Sequence, residues 1–236
     1  MQQQPFHQIA LPVTLPDDET FACYVPGDNQ TVFSQLNDFI AESGDKLNQA
    51  FIFGGKSSGK SHLLYASCIA AQERGIPNIL LAMDQLVNYG VDVLSDLEHY
   101  DLVCIDDVHL VAGIPEWERA LFNFYNLFNE AGKRLFISAT DKPESCGFQL
   151  PDLTSRLQWG VSFYLKELGD DEKVEALILR ARLRGLEMSD DAARFLLHRI
   201  SRDMSSLMLS LDQLDRASIA MQRRITIPFI KDVLSL

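Results

Sequence analysis

The stretch that begins at Gly54 reads Gly-Gly-Lys-Ser-Ser-Gly-Lys-Ser and fits G-x-x-x-x-G-K-[ST], the Walker A pattern of phosphate-binding loops. Its glycines allow a tight turn, so successive backbone N–H groups can point at the phosphates of a nucleotide. Lys60 would reach the β- and γ-phosphates, and Ser61 can ligate Mg²⁺. The pattern predicts a nucleotide-binding site, with a structural glycine turn as the alternative. The predicted binding residues are Gly54, Gly55, Lys56, Ser57, Ser58, Gly59, Lys60 and Ser61.

A pair of carboxylates, Asp106 and Asp107, follows the apolar run 102–105 and is the second group that could do chemistry. Ligands of open α/β sheets bind at the carboxyl ends of strands. We therefore expect Asp106 to hold Mg²⁺ through water and Asp107 to orient or activate the attacking water, although one of the pair could instead cap the next segment. His62, directly after the loop, is counted among the nucleotide-binding residues but could equally pack or cap its helix. His109 is expected to be structural.

The elements that position these groups alternate between strands and helices. Apolar strands are predicted at 50–53, 78–82, 102–105, 135–138 and 161–165, and helices at 31–43, 59–74 and 115–130. This alternation is typical of an α/β fold in which helices cover both faces of a parallel sheet, here of five strands. We therefore predict a nucleotide-binding α/β domain over residues 19–166.

The two ends of the chain differ from this body. Residues 1–18 contain three prolines, which disfavour a helix and predict an extended tail. Residues 167–236 show only helical patterns and are predicted to form a small all-α domain. Its predicted helices lie at 171–184, 190–200, 204–221 and 226–235.

The net charge, the cysteines and the apolar runs of the sequence limit the partners and the cellular location that we expect. The 236 residues carry a net charge of −12, and residues 1–166 hold 10 Lys/Arg against 21 Asp/Glu, whereas residues 167–236 hold 11 against 12. An acidic body repels a phosphate backbone, which argues against a DNA-binding surface. The four cysteines are scattered without a C-x-x-C pair, which suits a reducing cytoplasm and gives no metal site. Neither a membrane-spanning apolar run nor a signal peptide is expected.

Two further stretches resemble those of DnaA-type replication initiators. Residues 21–29 (FACYVPGDN) resemble the F-x-x-F-V-x-G-x-N stretch before the phosphate-binding loop of that family, and residues 153–160 (LTSRLQWG) resemble its segment ending S-R-[FL]-x-W-G. With the glycine-rich loop and the Asp pair, they resemble an AAA+ ATPase that carries a helical lid. The runs LPDDETFA, LVCID, RARLRG, LDQLDRASI and TIPF extend the similarity to a regulatory branch of the DnaA-related AAA+ family over residues 8–236.

The resemblance implies roles for five more residues. Tyr24, Val25 and Asn29 match the stretch that lines the pocket for the nucleotide base. Thr140 stands at the sensor position near the γ-phosphate, where the family often has Asp. Arg156 matches the arginine finger, which reaches a nucleotide held by a neighbouring subunit and stabilises charge as the γ-phosphate leaves. An ordinary surface or lid-contacting ion pair is the alternative for Arg156.

The lid of the family offers a second sensor arginine, but Ser205 stands in its place here and Arg202 is out of register. This implies weak recognition of a γ-phosphate and little or no intrinsic ATPase activity, so the expected nucleotide is ADP, with ATP as the alternative. Arg180, Arg182 and Arg184 could belong to a nucleotide-kinase lid. Because positions i and i+2 of a helix do not share a face, these three cannot converge on one phosphate, and we interpret them as a solvated helix face.

In terms of function, the resemblance implies a negative regulator of DNA replication initiation. It would bind ADP and Mg²⁺, dock on the DNA-loaded sliding clamp (the β subunit of DNA polymerase III) and promote hydrolysis of ATP on the DnaA initiator through Arg156 in trans. DNA would be contacted only through the clamp, and a homodimer is a further possible state.

Family initiators continue into a basic helix-turn-helix domain, whereas this sequence stops at Leu236, so an initiator role is not expected. The alternative is an autonomous AAA+ ATPase or helicase-loader-type replication protein. Either would be cytoplasmic, and the first would reach the nucleoid through the replication machinery.

The hexapeptide from Gln8 to Val13 (QIALPV) resembles the clamp-binding motif of the family, Q-[LI]-x-L-P-[LFV]. Gln8 would hydrogen-bond at the rim of a clamp pocket, and Leu11 and Val13 would fill it. Pro12 limits the conformations lost on docking. A strap packed on the chain's own domain is the alternative.

Overall fold

The computed structural model describes residues 19–41, 48–200 and 202–236. Its five strands are β1 (Gln49–Gly54), β2 (Asn78–Ala82), β3 (Leu102–Asp106), β4 (Arg134–Ala139) and β5 (Val161–Leu165). The helices of the first part are α1 (Gln30–Ala41), α2 (Lys60–Glu73), α3 (Met83–Leu86), α4 (Pro115–Glu130) and α5 (Pro151–Leu157). Four more follow: α6 (Asp170–Leu183), α7 (Asp190–Arg199), α8 (Met204–Met221) and α9 (Ile227–Leu234).

The five strands form one parallel sheet in the order β2-β3-β4-β1-β5. In its register Phe53 of β1 pairs with Ala139 of β4, and Ile105 of β3 pairs with Ile137 of β4. The carboxyl ends of β1, β3 and β4 therefore meet at one edge. This confirms the predicted α/β fold and brings the glycine-rich loop, the Asp pair and the end of β4 together.

The inner strands of the sheet are buried on both faces because they are apolar at almost every position, whereas Ser162 and Tyr164 of the edge strand β5 are exposed. Successive side chains of a strand point to opposite faces, so Phe51 packs with Ile137 and Trp117 on one side. Ile52 packs with Phe136 on the other, under α1 and α2. The sheet is thus a fixed platform, and only its edges and loops are available for chemistry.

Helices α6 to α9 form a second body with a core of its own, which includes Leu177, Leu196 and Phe229. An isolated parallel bridge joins Met188 to Ile225, in a region for which the sequence predicts helices alone. Side chains at the N-cap positions accept hydrogen bonds from the first turns of three of these helices and so define where they begin. These caps are Ser189, Asp203 and Thr226.

For each helix that the sequence predicts, the observed ends lie within two residues of the predicted ends. The sequence analysis does not predict α3 or α5. Helix α5 has seven residues and starts with Pro151, so it is too short to show a clear apolar period. Among the described helices, none has the length and hydropathy that crossing a bilayer demands. The hexapeptide with Gln8, Leu11 and Val13 lies outside the described residues.

Candidate nucleotide-binding site

The glycine-rich loop between β1 and α2 has the backbone that its sequence predicts. Gly59 has φ of 96°, in the left-handed region, and a Cβ there would lie 3.0 Å from the Tyr24 ring. A Cβ on Gly54 would lie 2.5 Å from the carbonyl oxygen of Leu165, so no larger residue fits. Ser57 is also left-handed, with φ of 61°. The chain therefore turns tightly enough here to present backbone N–H groups to a phosphate.

Lys60 is the buried lysine of this loop, whereas Lys56 is exposed. Its side chain is 94% buried, and Nζ donates hydrogen bonds to the carbonyl oxygens of Gly54 (3.0 Å) and Gly55 (2.8 Å). Burial lowers the pKa of Lys60, although the nearby carboxylates of Asp107 and Asp106 favour the charged form. An ammonium group held among loop carbonyls is well placed to meet the phosphates that this loop would cradle.

Asp106, the last residue of β3, is buried between two hydroxyl groups. Ser138 Oγ donates a hydrogen bond to its Oδ1, and Ser61 forms a second side-chain hydrogen bond with it. Burial raises the pKa of Asp106, and these two hydrogen bonds oppose that rise. The Ser61 hydroxyl and the Asp106 carboxylate are neighbouring oxygen donors of the kind that Mg²⁺ binds together with several waters. These two residues fit the predicted metal site.

Asp107, the next residue, has a different backbone conformation from Asp106. Its φ of 54° is left-handed, and its backbone N–H donates to Ser138 Oγ at 2.9 Å. The Asp107 Oδ1 lies 3.9 Å from His109 Nδ1, a buried nitrogen with no hydrogen-bond partner among the described residues. The Ser138 hydroxyl therefore contacts both members of the Asp pair: the carboxylate of Asp106 and the backbone N–H of Asp107.

A cavity of about 740 Å³ lies over the loop and under the lid. That volume is within the usual range for small-molecule sites, about 300–1,000 Å³. From the α/β body it is lined by Tyr24, Val25, Asp107 and Thr140. Its loop residues are Lys56, Ser57, Ser58, Gly59, Lys60, Ser61 and His62. Most of the predicted nucleotide-binding residues are thus brought together.

Tyr24 forms one wall of this cavity. Its ring stacks on Phe33 (centroids 5.9 Å apart) and meets His62 edge-on at 5.2 Å, and burial raises its pKa. His62 Nε2 lies 2.9 Å from the carbonyl oxygen of Thr20, so this histidine both lines the cavity and anchors the preceding segment. Asn29 does not line the cavity. Its amide exchanges two 2.9 Å hydrogen bonds with the backbone of Lys166, so it positions the strand end instead.

The lid supplies the opposite wall. The hydroxyl of Ser205 is 2.9 Å from that of Ser57, which ties α8 directly to the glycine-rich loop. Arg180 of α6 is 95% buried and lines the cavity, whereas Arg184 pairs with Asp212 at 2.5 Å. The interpretation of the arginine cluster as a solvated face is therefore wrong for Arg180.

Arg156 is not among the residues that line this cavity. It lies in the last turn of α5, where its Nε donates a hydrogen bond to Asn126 Oδ1 at 2.7 Å. Its guanidinium carbon lies 3.8 Å from the centroid of the Trp159 ring and 5.7 Å from that of Phe122. Trp159 is 52% exposed. Within the described part of the chain, the Nη groups of Arg156 have no hydrogen-bond partner, so they are available to a group from outside.

Comparison with protein families gives two matches along the chain. Residues 15–164 match the family described as the bacterial DnaA ATPase domain. Residues 170–234 match the family described as the lid domain of Hda. The first match alone spans more than half of the sequence, and the second covers nearly all of the helical body.

Solved structures share the fold at low sequence identity. Domain III of the replication initiation protein DnaA from Thermotoga maritima has a TM-score of 0.80 and 20% identity, covering 94% of this chain and 98% of that chain. AMPPCP-bound DnaA from Aquifex aeolicus has a TM-score of 0.71 and 20% identity, covering 85% and 66%. The RuvB Holliday junction branch migration motor of Thermotoga maritima has a TM-score of 0.64 and 18% identity, covering 92% and 73%. These structures share the fold of the chain.

Proposed function

The chain belongs to the DnaA-related family of AAA+ ATPases, with a lid of the Hda type, and we propose that it is a negative regulator of replication initiation. In this proposal it promotes hydrolysis of the ATP that the DnaA initiator holds. The observation that carries the proposal is the position of Arg156. This arginine lies outside the chain's own nucleotide cavity with its Nη groups available, as a finger acting on another molecule's nucleotide requires.

The proposed resident ligand is ADP, with ATP as the alternative. Lys60 would meet its phosphates, Ser61 and Asp106 would hold Mg²⁺, and Tyr24 and Val25 would face the base. A bound Mg²⁺ would neutralise phosphate charge. The solved DnaA structure with AMPPCP supports an adenine nucleotide in this fold. The preference for a diphosphate rests on Ser205, whose hydroxyl bonds to Ser57 where the family carries a sensor arginine.

The proposed action of Arg156 is electrostatic. Its guanidinium would enter the nucleotide site of the initiator and stabilise the negative charge that spreads over the γ-phosphate as it leaves. An arginine finger supplied in trans raises hydrolysis by about 10³- to 10⁵-fold in well-studied nucleotide triphosphatases. The contacts with Asn126 and Trp159 support this role, because they hold the guanidinium on the surface.

A second part of the proposal concerns location. The hexapeptide Gln8–Val13 would dock on the DNA polymerase III sliding clamp, with Gln8 at the rim and Leu11 and Val13 in the pocket. Six residues bury little area, so a single contact would have at best roughly micromolar affinity. A ring-shaped clamp with several pockets would raise the effective affinity by avidity. DNA would then be reached through the clamp, which is consistent with the net charge of −12. A homodimer would be a storage form if it covered Arg156.

An autonomous ATPase is the second candidate, and the geometry of Asp107 favours it. Asp107 lines the cavity beside Lys60 and Thr140, where a water-activating carboxylate would act on a nucleotide bound to this chain. This candidate predicts turnover by the isolated protein that Asp107→Asn abolishes. Absence of turnover in the isolated wild-type protein would refute it.

The decisive experiment measures ATP hydrolysis by this protein, by a DnaA initiator, and by their mixture with and without DNA-loaded clamp. We expect a large gain only in the complete mixture, lost by about 10³-fold or more in Arg156→Ala. Arg119→Ala is a matched control, because Arg119 is exposed on α4, the helix that packs against α5. Equal stimulation by Arg156→Ala and wild type would refute the finger. Full stimulation by Gln8→Ala and Leu11→Ala variants would refute the clamp motif.

A further inference from the structure

Glu118, in the first turn of α4, is a buried carboxylate surrounded by backbone N–H groups. It is 99% buried. Its Oε1 accepts hydrogen bonds from the N–H groups of Gly113 (2.7 Å) and Gln149 (3.0 Å), and its Oε2 accepts from those of Gln149 (2.9 Å) and Leu150 (2.6 Å). A carboxylate placed so deeply is tolerated only when its oxygens are paired, and here both are.

The donors come from two segments that lead to the two sites described above. Gly113 ends the segment that begins at Asp107, after β3. Gln149 and Leu150 lead directly into α5, where Leu150 is the N-cap residue and its side chain makes no capping hydrogen bond. Glu118 therefore joins the segment that leaves the nucleotide cavity to the start of the helix that carries Arg156.

Helix α4 holds α5 at both ends. Glu118 binds the start of α5, and Asn126 binds Arg156 at its end. Glu118 and Asn126 are separated by about 12 Å along the α4 axis at 1.5 Å per residue, close to the length of about 10 Å that seven-residue α5 spans. Leu153 and Leu157 pack α5 into the core between these two attachments, and Glu118 fixes the start of the helix.

We propose that Glu118 is a positioning residue for Arg156, fixing the start of α5 so that the guanidinium is presented in one orientation. The proposal rests on the trans-acting finger described above. The chemistry requires a carboxylate, since it offers two acceptor oxygens and no donor. A glutamine would turn an NH₂ group toward a backbone N–H, and an aspartate would be too short to reach both segments.

The test has a structural arm that does not depend on function. In Glu118→Gln we expect hydrogen exchange at the Gln149 and Leu150 amides to accelerate by at least about tenfold. We also expect the Arg156 Nε–H signal in heteronuclear NMR to lose the protection that its bond to Asn126 provides. Glu116→Gln, at an exposed position two residues earlier on the same helix, is the matched control and should change neither. An unchanged Arg156 Nε–H signal in Glu118→Gln would overturn the proposal.

The functional arm measures stimulated hydrolysis by the initiator well below the melting temperature of the variant. We expect the maximal rate to fall about tenfold while ADP affinity and the half-saturating initiator concentration stay within about twofold, the signature of a misplaced group. A general structural defect would lower the maximal rate and the ADP affinity and raise the half-saturating initiator concentration together, and that result would overturn the proposal. Should Glu118→Gln fail to fold, Glu118→Asp, which retains the charge, is read in the same way. If wild type itself does not stimulate, the proposed function fails, and the NMR arm still decides the role of Glu118.

Discussion

The nucleotide cavity and the surface around Arg156 hold their charged groups in different ways. In the cavity, Asp106 and Lys60 are buried and fixed by hydrogen bonds to hydroxyl and carbonyl groups. Arg156 is held by one hydrogen bond and by the face of an exposed tryptophan. An aromatic ring fixes the plane of a guanidinium without using its N–H donors. Under the proposed function, the cavity would keep a ligand and the Arg156 surface would present a charge to another molecule.

Removal of the Lys60 side chain should have the largest effect on ADP binding while leaving the Arg156 surface unchanged. Lys60→Ala is expected to weaken ADP binding by about 100-fold, because charge-assisted hydrogen bonds to phosphate are lost. Titration calorimetry measures this, and the Arg156 Nε–H signal should stay unchanged. Lys142→Ala, at an exposed position, is the control. ADP binding by Lys60→Ala within threefold of wild type would contradict the assignment of the cavity.

A second prediction tests whether the lid contributes charge to the cavity. Arg180→Ala is expected to weaken ADP binding by about tenfold, since a buried cation beside the ligand would be lost. Arg182→Ala, two residues away on the exposed side of α6, is the matched control and should bind normally. If the two variants bind ADP equally, Arg180 supports the lid only and the cavity depends on the α/β body for its charge.

On the other surface, Trp159→Ala is expected to reduce stimulated hydrolysis by about fivefold, since a cation–π contact at an exposed site contributes about 1 kcal/mol. Trp159→Phe should retain most of the activity because a ring remains. ADP affinity should not change in either variant. A parallel loss of ADP affinity in Trp159→Ala would mean that the two regions are not separate.

The smallest expected effect concerns Asp106 and pH. Because burial raises its pKa in the folded state, this carboxyl contributes stability below its unfolded pKa and loses that contribution as pH rises through the folded pKa. Asp106→Asn should therefore melt about 2–4 °C higher than wild type at pH 8, for a change of about 1 kcal/mol. The gap should shrink toward pH 4. Exposed Asp38→Asn is the control. A lower melting temperature for Asp106→Asn at pH 8 would contradict the prediction.

The parts of the site that could be predicted are those encoded by local sequence. The glycine-rich loop follows a strand and opens a helix, and the Asp pair ends a buried run, so pattern and topology sufficed for both. Strand order brings these segments to one edge, and parallel sheets make that edge predictable. Sequence could also assign the helical body, because its helices are long and have clear caps.

The parts that could not be predicted depend on tertiary contacts between distant segments. The Ser57–Ser205 hydrogen bond joins residues 148 positions apart. Glu118 and Arg180 are charged residues of amphipathic helices, and their types alone predict solvent exposure. Asn29 is assigned to the base pocket by resemblance, but one N–H and the oxygen of its amide bind the backbone of Lys166. Burial of a polar group is set by which segments surround it, and local patterns do not encode that.

The hydroxyl of Ser138 has one further consequence for the choice of cation. Since it accepts from the Asp107 backbone and donates to Asp106 Oδ1, one carboxylate oxygen of Asp106 is already engaged. The carboxylate is left to act as a monodentate ligand. Ca²⁺ takes six to eight oxygens and often binds carboxylates through both, whereas Mg²⁺ accepts single oxygens in an octahedral shell completed by water and phosphate. In the proposed site, a serine on a neighbouring strand would therefore favour Mg²⁺ over Ca²⁺ without touching either ion.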